Sequence, residues 1–240
     1  MFELPVASVP WESPLFWALL IGWIFTVALH EFAHGLVAHF GGDYTVRERG
    51  GLTLNPFQYI DPLMSIGLPL LFLIMGGVPL PGGVTYIRTD LLRSKAWEST
   101  VALAGPAMNL LLLCLLTLCM HPAFGYFDYS VPVESWTNLQ IFVGALATLQ
   151  AISVVLNLLP VPGLDGFNAI SPYLNQDFVM KVRTPPLNFI ILAVLFLMVM
   201  RLPIVWQLTG KLLFGVPRLL GMGDSTAIRM FESFGIALGR

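Results

Sequence analysis

An apolar run that ends in two histidines and a glutamate restricts the fold of this chain more than any other feature. Residues 15–29 carry no charged side chain, and His30, Glu31 and His34 follow within the same apolar stretch, 14–40. A stretch of this length and composition predicts a helix that crosses a lipid bilayer. Burying two imidazoles and a carboxylate there costs several kcal/mol unless they bind a partner, and a metal ion would be such a partner.

The spacing of these three polar residues fits a single metal ion. Residues four apart in an α-helix lie about 40° apart around its axis, so the imidazoles of His30 and His34 share one face. The HExxH pattern on a helix supplies two histidine ligands for zinc, and Glu31, about 60° further round, can reach a water molecule on the metal. The structural alternative is a buried polar network that only fixes helix packing.

Composition places the chain in a membrane. Its 240 residues are 56% hydrophobic and only 11% charged, whereas a soluble domain carries about 25% charged residues. The net charge of −2 and the scattered basic residues give no indication of a nucleic-acid partner. Cys114 and Cys119 are interpreted as reduced thiols in one apolar helix, because a disulfide between them would be geometrically poor. We expect an all-α polytopic membrane protein that forms a single domain over residues 1–240.

The apolar segments predict the order of the helices. We expect membrane helices over 14–40, 99–120, 138–160 and 187–201. The core of the domain is expected over about 14–172 and the C-terminal helices over 187–222. Segment 204–222 carries Lys211 and Arg218 and is predicted as an amphipathic helix at the membrane surface, with a crossing as the alternative.

Three further segments have weaker signals. Residues 51–57 and 82–88 alternate weakly between apolar and polar side chains, which predicts short β-strands at the cytoplasmic surface. The last residues, 223–240, are predicted to form a short polar tail.

Segment 63–80 is apolar but interrupted by glycines and prolines. If it crossed the bilayer, basic residues would lie on both sides of the membrane. If it enters and returns, Arg47, Arg88 and Lys181 all face the cytoplasm with the other basic residues of their loops, as the positive-inside rule favours. We therefore expect a re-entrant segment that lines a water route. This orientation puts His30 near the cytoplasmic side of a protein that we expect in the cell (plasma) membrane.

A hydrolytic zinc site needs three protein ligands and one open position for water, so the HExxH pattern lacks one ligand. His39 faces about 140° away from His34 on the helix, and His121 lies at the outer end of the next helix. Asp165 follows the third helix in a segment rich in proline and glycine and reaches the same membrane depth. Alone, Asp165 would be interpreted as a surface turn, but beside an incomplete HExxH site we favour it as the third ligand.

Three motifs in chain order resemble the site-2 protease family of intramembrane zinc metalloproteases. They are HExxH at residues 30–34, Ala-Gly-Pro-Ala-Met-Asn at 104–109, and Asn-x-x-Pro followed by Leu-Asp-Gly over 157–166. The resemblance covers roughly residues 20–172. It implies that His30, His34 and Asp165 bind one Zn²⁺ and that Glu31 is the catalytic general base. It also implies that Asn157 and the segment after it help to hold an unwound substrate strand.

Asn109 has two interpretations at this point. It forms a hydrogen bond to the substrate or to the site, or it forms an interhelical hydrogen bond helped by close approach at Gly105. We place it with Asn157 among the expected substrate-positioning residues. One departure from the family is Gly163, where relatives often have proline before Leu-Asp-Gly. We expect it to leave Asp165 in place, to loosen the loop and to alter the fit of a substrate. The chain resembles the core-only members without a PDZ or CBS domain.

The resemblance implies a zinc metalloendopeptidase that hydrolyses peptide bonds within or near transmembrane segments, as in regulated intramembrane proteolysis. Its expected partners are transmembrane-helix substrates in the lipid bilayer. The alternative is a non-proteolytic metal-binding membrane protein such as a metal transporter. A transporter needs a continuous polar path across the bilayer, and the outer half of helix 14–40 offers none. A second alternative, an inactive relative that only binds helices, is disfavoured by the intact Glu31.

Overall fold

The computed structural model describes residues 12–67, 82–184 and 203–239, together with positions 69, 190, 191 and 194. The α-helices in these ranges are α1 Pro14–Gly41, α2 Thr45–Glu48, α3 Lys95–Cys119, α4 Asn138–Asn157, α5 Asp165–Ile170, α6 Gln176–Arg183, α7 Pro203–Leu219 and α8 Asp224–Ala237. Helices α1, α3 and α4 are each long and apolar enough to cross a membrane. The predicted all-α architecture is confirmed for the described ranges.

Local sequence signals set the ends of the three long helices. Pro14 occupies the first position of α1, where a backbone N–H would have no partner within the helix, so proline loses no hydrogen bond there. Gly42, with φ 124°, ends the helix. The Ser94 side chain caps the start of α3. Thr137 and Gln140 form a capping box at the start of α4, each satisfying a backbone N–H of the other. The three helices predicted over 14–40, 99–120 and 138–160 are therefore confirmed with small shifts at their ends.

Helices α1, α3 and α4 pack around a shared apolar core to which Phe16, Leu113 and Ala147 each contribute. Lipid tails are as apolar as these side chains, so close packing and interhelical hydrogen bonds hold such a bundle together within a bilayer. Gly22 allows one of these close approaches, because a Cβ there would lie 2.8 Å from the ring of Phe142.

Helix α7 lies along α4 and not across the end of the bundle. Val205, near its start, packs against Val155 near the end of α4. Val216, near its end, joins the core that also contains Ile141 from the start of α4. Helix α7, with 17 residues, is not among the described helices that are long and apolar enough to cross a membrane, so its position at the membrane surface or across the bilayer stays a prediction. The predicted helix 187–201 lies outside the described residues apart from isolated positions.

Helix α8 occupies residues that were predicted as a polar tail, and that prediction is wrong. One face of the helix is buried through small or apolar side chains, among them Ala227, Met230 and Ser233. Gly144 of α4 admits this face, since a Cβ there would lie 2.7 Å from Oγ of Ser233. Polar residues dilute the hydropathy of the segment, and this concealed its packing face.

The predicted strands over 51–57 and 82–88 do not form. Asn55 accepts a hydrogen bond from the backbone N–H of Phe57 and starts a 3₁₀ helix, Pro56–Tyr59, which ends any strand there. Segment 82–88 is extended but pairs with no strand in the described ranges. The residues from Pro62 to Gly67 form a π-helical turn, and the rest of the re-entrant prediction over 63–80 falls outside the described residues apart from position 69.

Candidate metal centre

His30, His34 and Asp165 meet at one point between α1 and the start of α5. One ligand atom from each lies within 4.8 Å of the other two. Asp165 places Oδ2 at 3.1 Å from Nε2 of His30 and Oδ1 at 3.3 Å from Nε2 of His34. The two Nε2 atoms are 3.1 Å apart. The structure thus brings the two HExxH histidines together with the aspartate that the sequence selected as their partner.

Helix α3 holds the second nitrogen of each imidazole. Nδ1 of His30 lies 2.6 Å from the amide oxygen of Asn109, and Nδ1 of His34 lies 2.7 Å from the carbonyl oxygen of Val101. Both partners accept hydrogen bonds, so each Nδ1 carries a proton and, in the neutral imidazole, each Nε2 keeps its lone pair. The lone pairs then point towards Asp165, which is the orientation that metal-binding histidines adopt.

The converging atoms fit a cation. While both imidazoles are neutral, two Nε2 lone pairs and a carboxylate face one another, and such an arrangement is repulsive without a positive charge. Oδ2 of Asp165 is buried and has no hydrogen-bond donor among the described residues. Imidazole nitrogen and carboxylate oxygen form the type of ligand set that holds zinc in hydrolases. A bound metal ion would therefore satisfy all three groups.

Gly105 of α3 makes room for this site. A Cβ at Gly105 would lie 2.3 Å from Nε2 of His34 and 2.4 Å from Nε2 of His30, far inside van der Waals contact. Only glycine therefore lets α3 approach α1 this closely. Asn109 follows one helical turn later on the same face, where it reaches His30. The Ala-Gly-Pro-Ala-Met-Asn motif thus both clears the site and orients one of its ligands.

The loop from α4 to α5 turns Asp165 back towards α1. Gly163 has φ 99° in this loop, and proline, fixed near −65°, cannot adopt that angle. The departure from the family's proline thus accompanies a backbone path that proline would not permit. A Cβ at Gly166 would lie 2.3 Å from the carbonyl oxygen of Leu158. The glycine of Leu-Asp-Gly is therefore required because the loop folds onto the end of α4.

Glu31 is buried beside the extended segment 82–88. A Cβ at Gly83 would lie 2.9 Å from Cγ of Glu31, and the Thr85 hydroxyl donates to the backbone oxygen of Glu31 at 3.0 Å. Tyr59 lies close by, and burial, with a smaller contribution from the charge of Glu31, raises the pKa of Tyr59 to about 12. Tyr59 is therefore protonated at neutral pH. Segment 82–88 thus forms the wall of the site on the Glu31 side.

Asp43 is a buried carboxylate that the sequence reasoning missed. It accepts hydrogen bonds from the backbone N–H of Arg88 at 2.7 Å and from the Arg49 guanidinium at 3.3 Å. Near the other end of segment 82–88, the backbone N–H of Val84 donates to the carbonyl oxygen of Tyr59 at 2.9 Å. The segment is thus held in place on both sides of Thr85. An aspartate after a helix-ending glycine is common in turns, so no sequence pattern indicates this role.

The remaining candidate residues lie in separate places. Asn109 forms an interhelical hydrogen bond to a histidine of the site, so its two interpretations describe the same contact. Asn157 is the half-buried last residue of α4. The ring of His39 packs edge-on against Tyr44 at 5.2 Å, and His121 accepts a hydrogen bond from a neighbouring backbone N–H. Cys114 and Cys119 are both free thiols, as expected.

The sequence is similar to curated proteins from several bacteria. It is 42% identical over 163 residues to "Putative zinc metalloprotease Rip2" of Mycolicibacterium smegmatis, with 68% of this chain and 60% of that protein covered. It is 39% identical over 187 residues to the protein of the same name in Mycobacterium tuberculosis, with 76% and 68% covered. It is 30% identical over 197 residues to "Putative zinc metalloprotease YwhC" of Bacillus subtilis, with 79% and 84% covered. The chain belongs to the site-2 protease family.

This site-2 protease family member is a membrane protein, as its three long apolar helices indicate. It spans 60% of the length of the M. smegmatis relative. No family model matches the sequence, and no solved structure matches it either. The family's three motifs correspond in the structure to the histidine pair on α1, the approach of α3 at Gly105, and the turn that delivers Asp165.

Proposed function

We propose that this site-2 protease family member is an intramembrane zinc metalloprotease that hydrolyses peptide bonds within or near transmembrane segments. One observation carries the proposal. Both histidines of an apolar helix turn their Nε2 lone pairs towards a carboxylate that arrives from a different helix. The names of the relatives, which say zinc metalloprotease, support zinc as the ion and hydrolysis as the chemistry.

His30, His34 and Asp165 would hold one Zn²⁺, and three protein ligands leave a fourth position open. When bound, zinc lowers the pKa of a coordinated water to about 7 and polarises a substrate carbonyl. The chain supports this chemistry by holding the histidine Nδ1 protons on Asn109 and Val101, because this fixes both rings with Nε2 inward. Hydrogen bonds of this kind to the second ring nitrogen make a histidine ligand more basic and fix the orientation of its ring.

Glu31 is the proposed general base. It follows His30 directly in α1, so its carboxylate projects from the same helical turn as the two histidine ligands. It would take a proton from the attacking water and then donate it to the nitrogen of the departing amine as the peptide C–N bond breaks. Its burial against Gly83 keeps the carboxylate away from bulk water.

The proposed substrate is a transmembrane helix that unwinds locally, because the peptide bonds of an intact helix are shielded by their own hydrogen bonds and side chains. Asn157, where α4 leaves the bundle towards Asp165, is proposed to help hold the unwound strand. The backbone N–H of Arg93 donates to the last residue of α1, Gly41, at 3.0 Å. Arg49 and Arg88 bond to Asp43, which lies just after α1. These three basic residues lie at the HExxH end of α1, which supports a site near the cytoplasmic face of the plasma membrane.

The first experiment expresses this protein together with single-span membrane proteins and compares wild type with Glu31→Gln on gels. The proposal predicts a cleaved product with wild type and none with Glu31→Gln at equal protein levels. Glu48→Gln, an exposed glutamate on α2, is the matched control and should cleave normally. Zinc transport into vesicles without any cleavage of membrane substrates would instead support the transporter alternative.

A further inference from the structure

Gln150 and Thr26 form a buried polar contact between α4 and α1. Nε2 of Gln150 donates to Oγ1 of Thr26 at 3.2 Å, and the Thr26 hydroxyl donates to the carbonyl oxygen of Trp23 at 2.8 Å. Gln150 is 0% exposed and Thr26 is 4% exposed. This side-chain hydrogen bond joins the two helices directly.

This contact lies one helical turn from the proposed zinc site. Thr26 precedes His30 by four residues, so both side chains project from the same face of α1. Helix α1 carries the two histidines, while α4 leads into the loop that delivers Asp165. The hydrogen bonds of α3 hold both histidines, but they do not reach the helix from which Asp165 arrives.

The position of α4 along α1 therefore controls the third ligand. Sliding one helix past another by a single residue moves it about 1.5 Å, whereas metal–ligand distances vary by only about 0.2 Å. The buried side chains at the middle of α4, such as Ala147 and Ala151, are small, whereas the ring of Phe142 packs against Gly22 of α1 nearer the start of α4. A hydrogen bond is directional, so it can fix a position that smooth apolar packing cannot.

The other half of the Gln150 amide supports a specific role for this bond. Its carbonyl oxygen is buried without a hydrogen-bond donor among the described residues. An unpaired buried carbonyl is unfavourable, and methionine or leucine would fill the same space without that cost. The N–H bond to Thr26 is therefore the contribution that distinguishes glutamine from an apolar residue at this position.

We infer that Gln150 and Thr26 are positioning residues that fix the register of α4 on α1 and so hold Asp165 against His30 and His34. The inference rests on the proposed function, because it assumes that these three residues bind zinc. Neither residue touches the metal or the substrate in this arrangement. Their effect is exerted through the loop that follows α4.

Helix α4 offers matched controls. The hydroxyl of Thr148 donates to the carbonyl oxygen of Gly144 at 3.1 Å, and that of Ser153 donates to Leu149 at 2.8 Å. Both hydroxyls are buried on the same helix as Gln150, but each bonds to its own helix. Thr148→Val and Ser153→Ala therefore remove a buried polar group without removing a link to α1.

The test measures Zn²⁺ affinity of the full chain in detergent by competition with a chromophoric chelator. Gln150→Met and Thr26→Val keep the side-chain size and should each raise the zinc Kd about tenfold, the lower end of the effect for outer partners of metal ligands. The double variant should bind no more weakly than the weaker single variant, because both substitutions break one contact. Thr26→Ser, which keeps the hydroxyl, should bind zinc as tightly as wild type does.

The outcomes separate this inference from the proposed function. If His34→Ala abolishes zinc binding but Gln150→Met and Thr26→Val bind as tightly as Thr148→Val and Ser153→Ala, the inference is wrong and the zinc site stands. Additive losses in the double variant would also overturn it. If His34→Ala binds zinc like wild type, the proposed function itself fails. If Gln150→Met does not fold, the zinc affinity of Thr26→Val, which replaces the hydroxyl with a methyl group, is compared with that of Thr26→Ser. Equal affinities would overturn the inference, and weaker binding by Thr26→Val alone would support it.

Discussion

Nδ1 of His30 lies 2.6 Å from the amide oxygen of Asn109. This contact joins the HExxH helix to α3 one turn beyond Gly105, the glycine that clears the metal site. One short stretch of α3 thus sets both the distance between the helices and the orientation of a ligand. The hydrogen bond also selects the tautomer of His30, because an amide oxygen can only accept.

Replacing Asn109 with leucine should weaken zinc binding by about 10- to 100-fold, because His30 loses the acceptor that fixes its ring and tautomer. Asn109→Asp keeps an oxygen acceptor and should retain most of the affinity. Chelator competition on purified protein measures both values. Asn138→Ala at the exposed start of α4 serves as the control, and a leucine variant with wild-type affinity would show that Asn109 does not orient the site.

Gly105→Ala should abolish zinc binding. The added methyl group would lie 2.3 Å from Nε2 of His34 and would push α3 away from α1. Metal content by mass spectrometry and thermal unfolding together measure the effect. Gly210→Ala is the matched control, because a Cβ at that helical glycine meets nothing within 4 Å. It should leave zinc unchanged and raise stability slightly, by about 0.5–1 kcal/mol. Normal zinc content in Gly105→Ala would refute the close approach of the two helices.

Asp43→Ala should lower stability without removing zinc. The substitution leaves the backbone N–H of Arg88 without its buried carboxylate acceptor, at a cost of about 1–3 kcal/mol. Chemical unfolding reports the stability, and metal analysis reports the zinc. Asp90→Asn removes an exposed ion pair with Arg88 and should change stability little. A large loss of zinc from Asp43→Ala would mean that the metal ligands, and not only the wall beside Glu31, depend on segment 82–88.

Removing the metal should destabilise the folded protein, because the lone pairs of the two histidines and the Asp165 carboxylate then face one another without a cation. A ligand present at 100 times its Kd stabilises the folded state by about 2.7 kcal/mol. Thermal unfolding with and without a chelator should therefore show a lower midpoint in the chelated sample, restored by added zinc. His34→Ala should show no such difference, and a chelator effect of equal size in that variant would assign the stabilising ion to another site.

The site could be assembled from sequence because its residues obey strong local rules. The histidines of HExxH share a helix face wherever that helix lies, and a site with two ligands needs a third at the same depth. That requirement selected Asp165. The partner of His34 could not be found in this way, because a backbone carbonyl such as that of Val101 has no sequence signature. Gln150 and Thr26 were missed because their contact depends on the register of two helices.

The fold was predicted well where composition dominates and poorly where packing decides. Long apolar runs identified α1, α3 and α4. Helix α8 was missed because its packing face consists mostly of small residues such as Ala227 and Ser233, and polar residues lower the mean hydropathy of the segment. The strand predicted over 51–57 failed because Asn55 and Pro56 start a 3₁₀ helix. In a short segment, apolar and polar side chains can alternate because a loop makes local contacts, so alternation alone does not indicate a strand in a sheet.

Cleavage by purified protein in lipid vesicles is the most direct test of whether this protein is an intramembrane zinc metalloprotease that uses Glu31 as its general base. A single-span substrate is reconstituted with wild type or with Glu31→Gln, zinc is quantified in both, and mass spectrometry locates the cut. We expect one zinc per chain in both proteins. Wild type should cut the substrate within or beside its transmembrane segment, and Glu31→Gln should cleave at a rate at least about 100-fold lower. Cleavage by Glu31→Gln at the wild-type rate, with zinc bound, would contradict this role of Glu31.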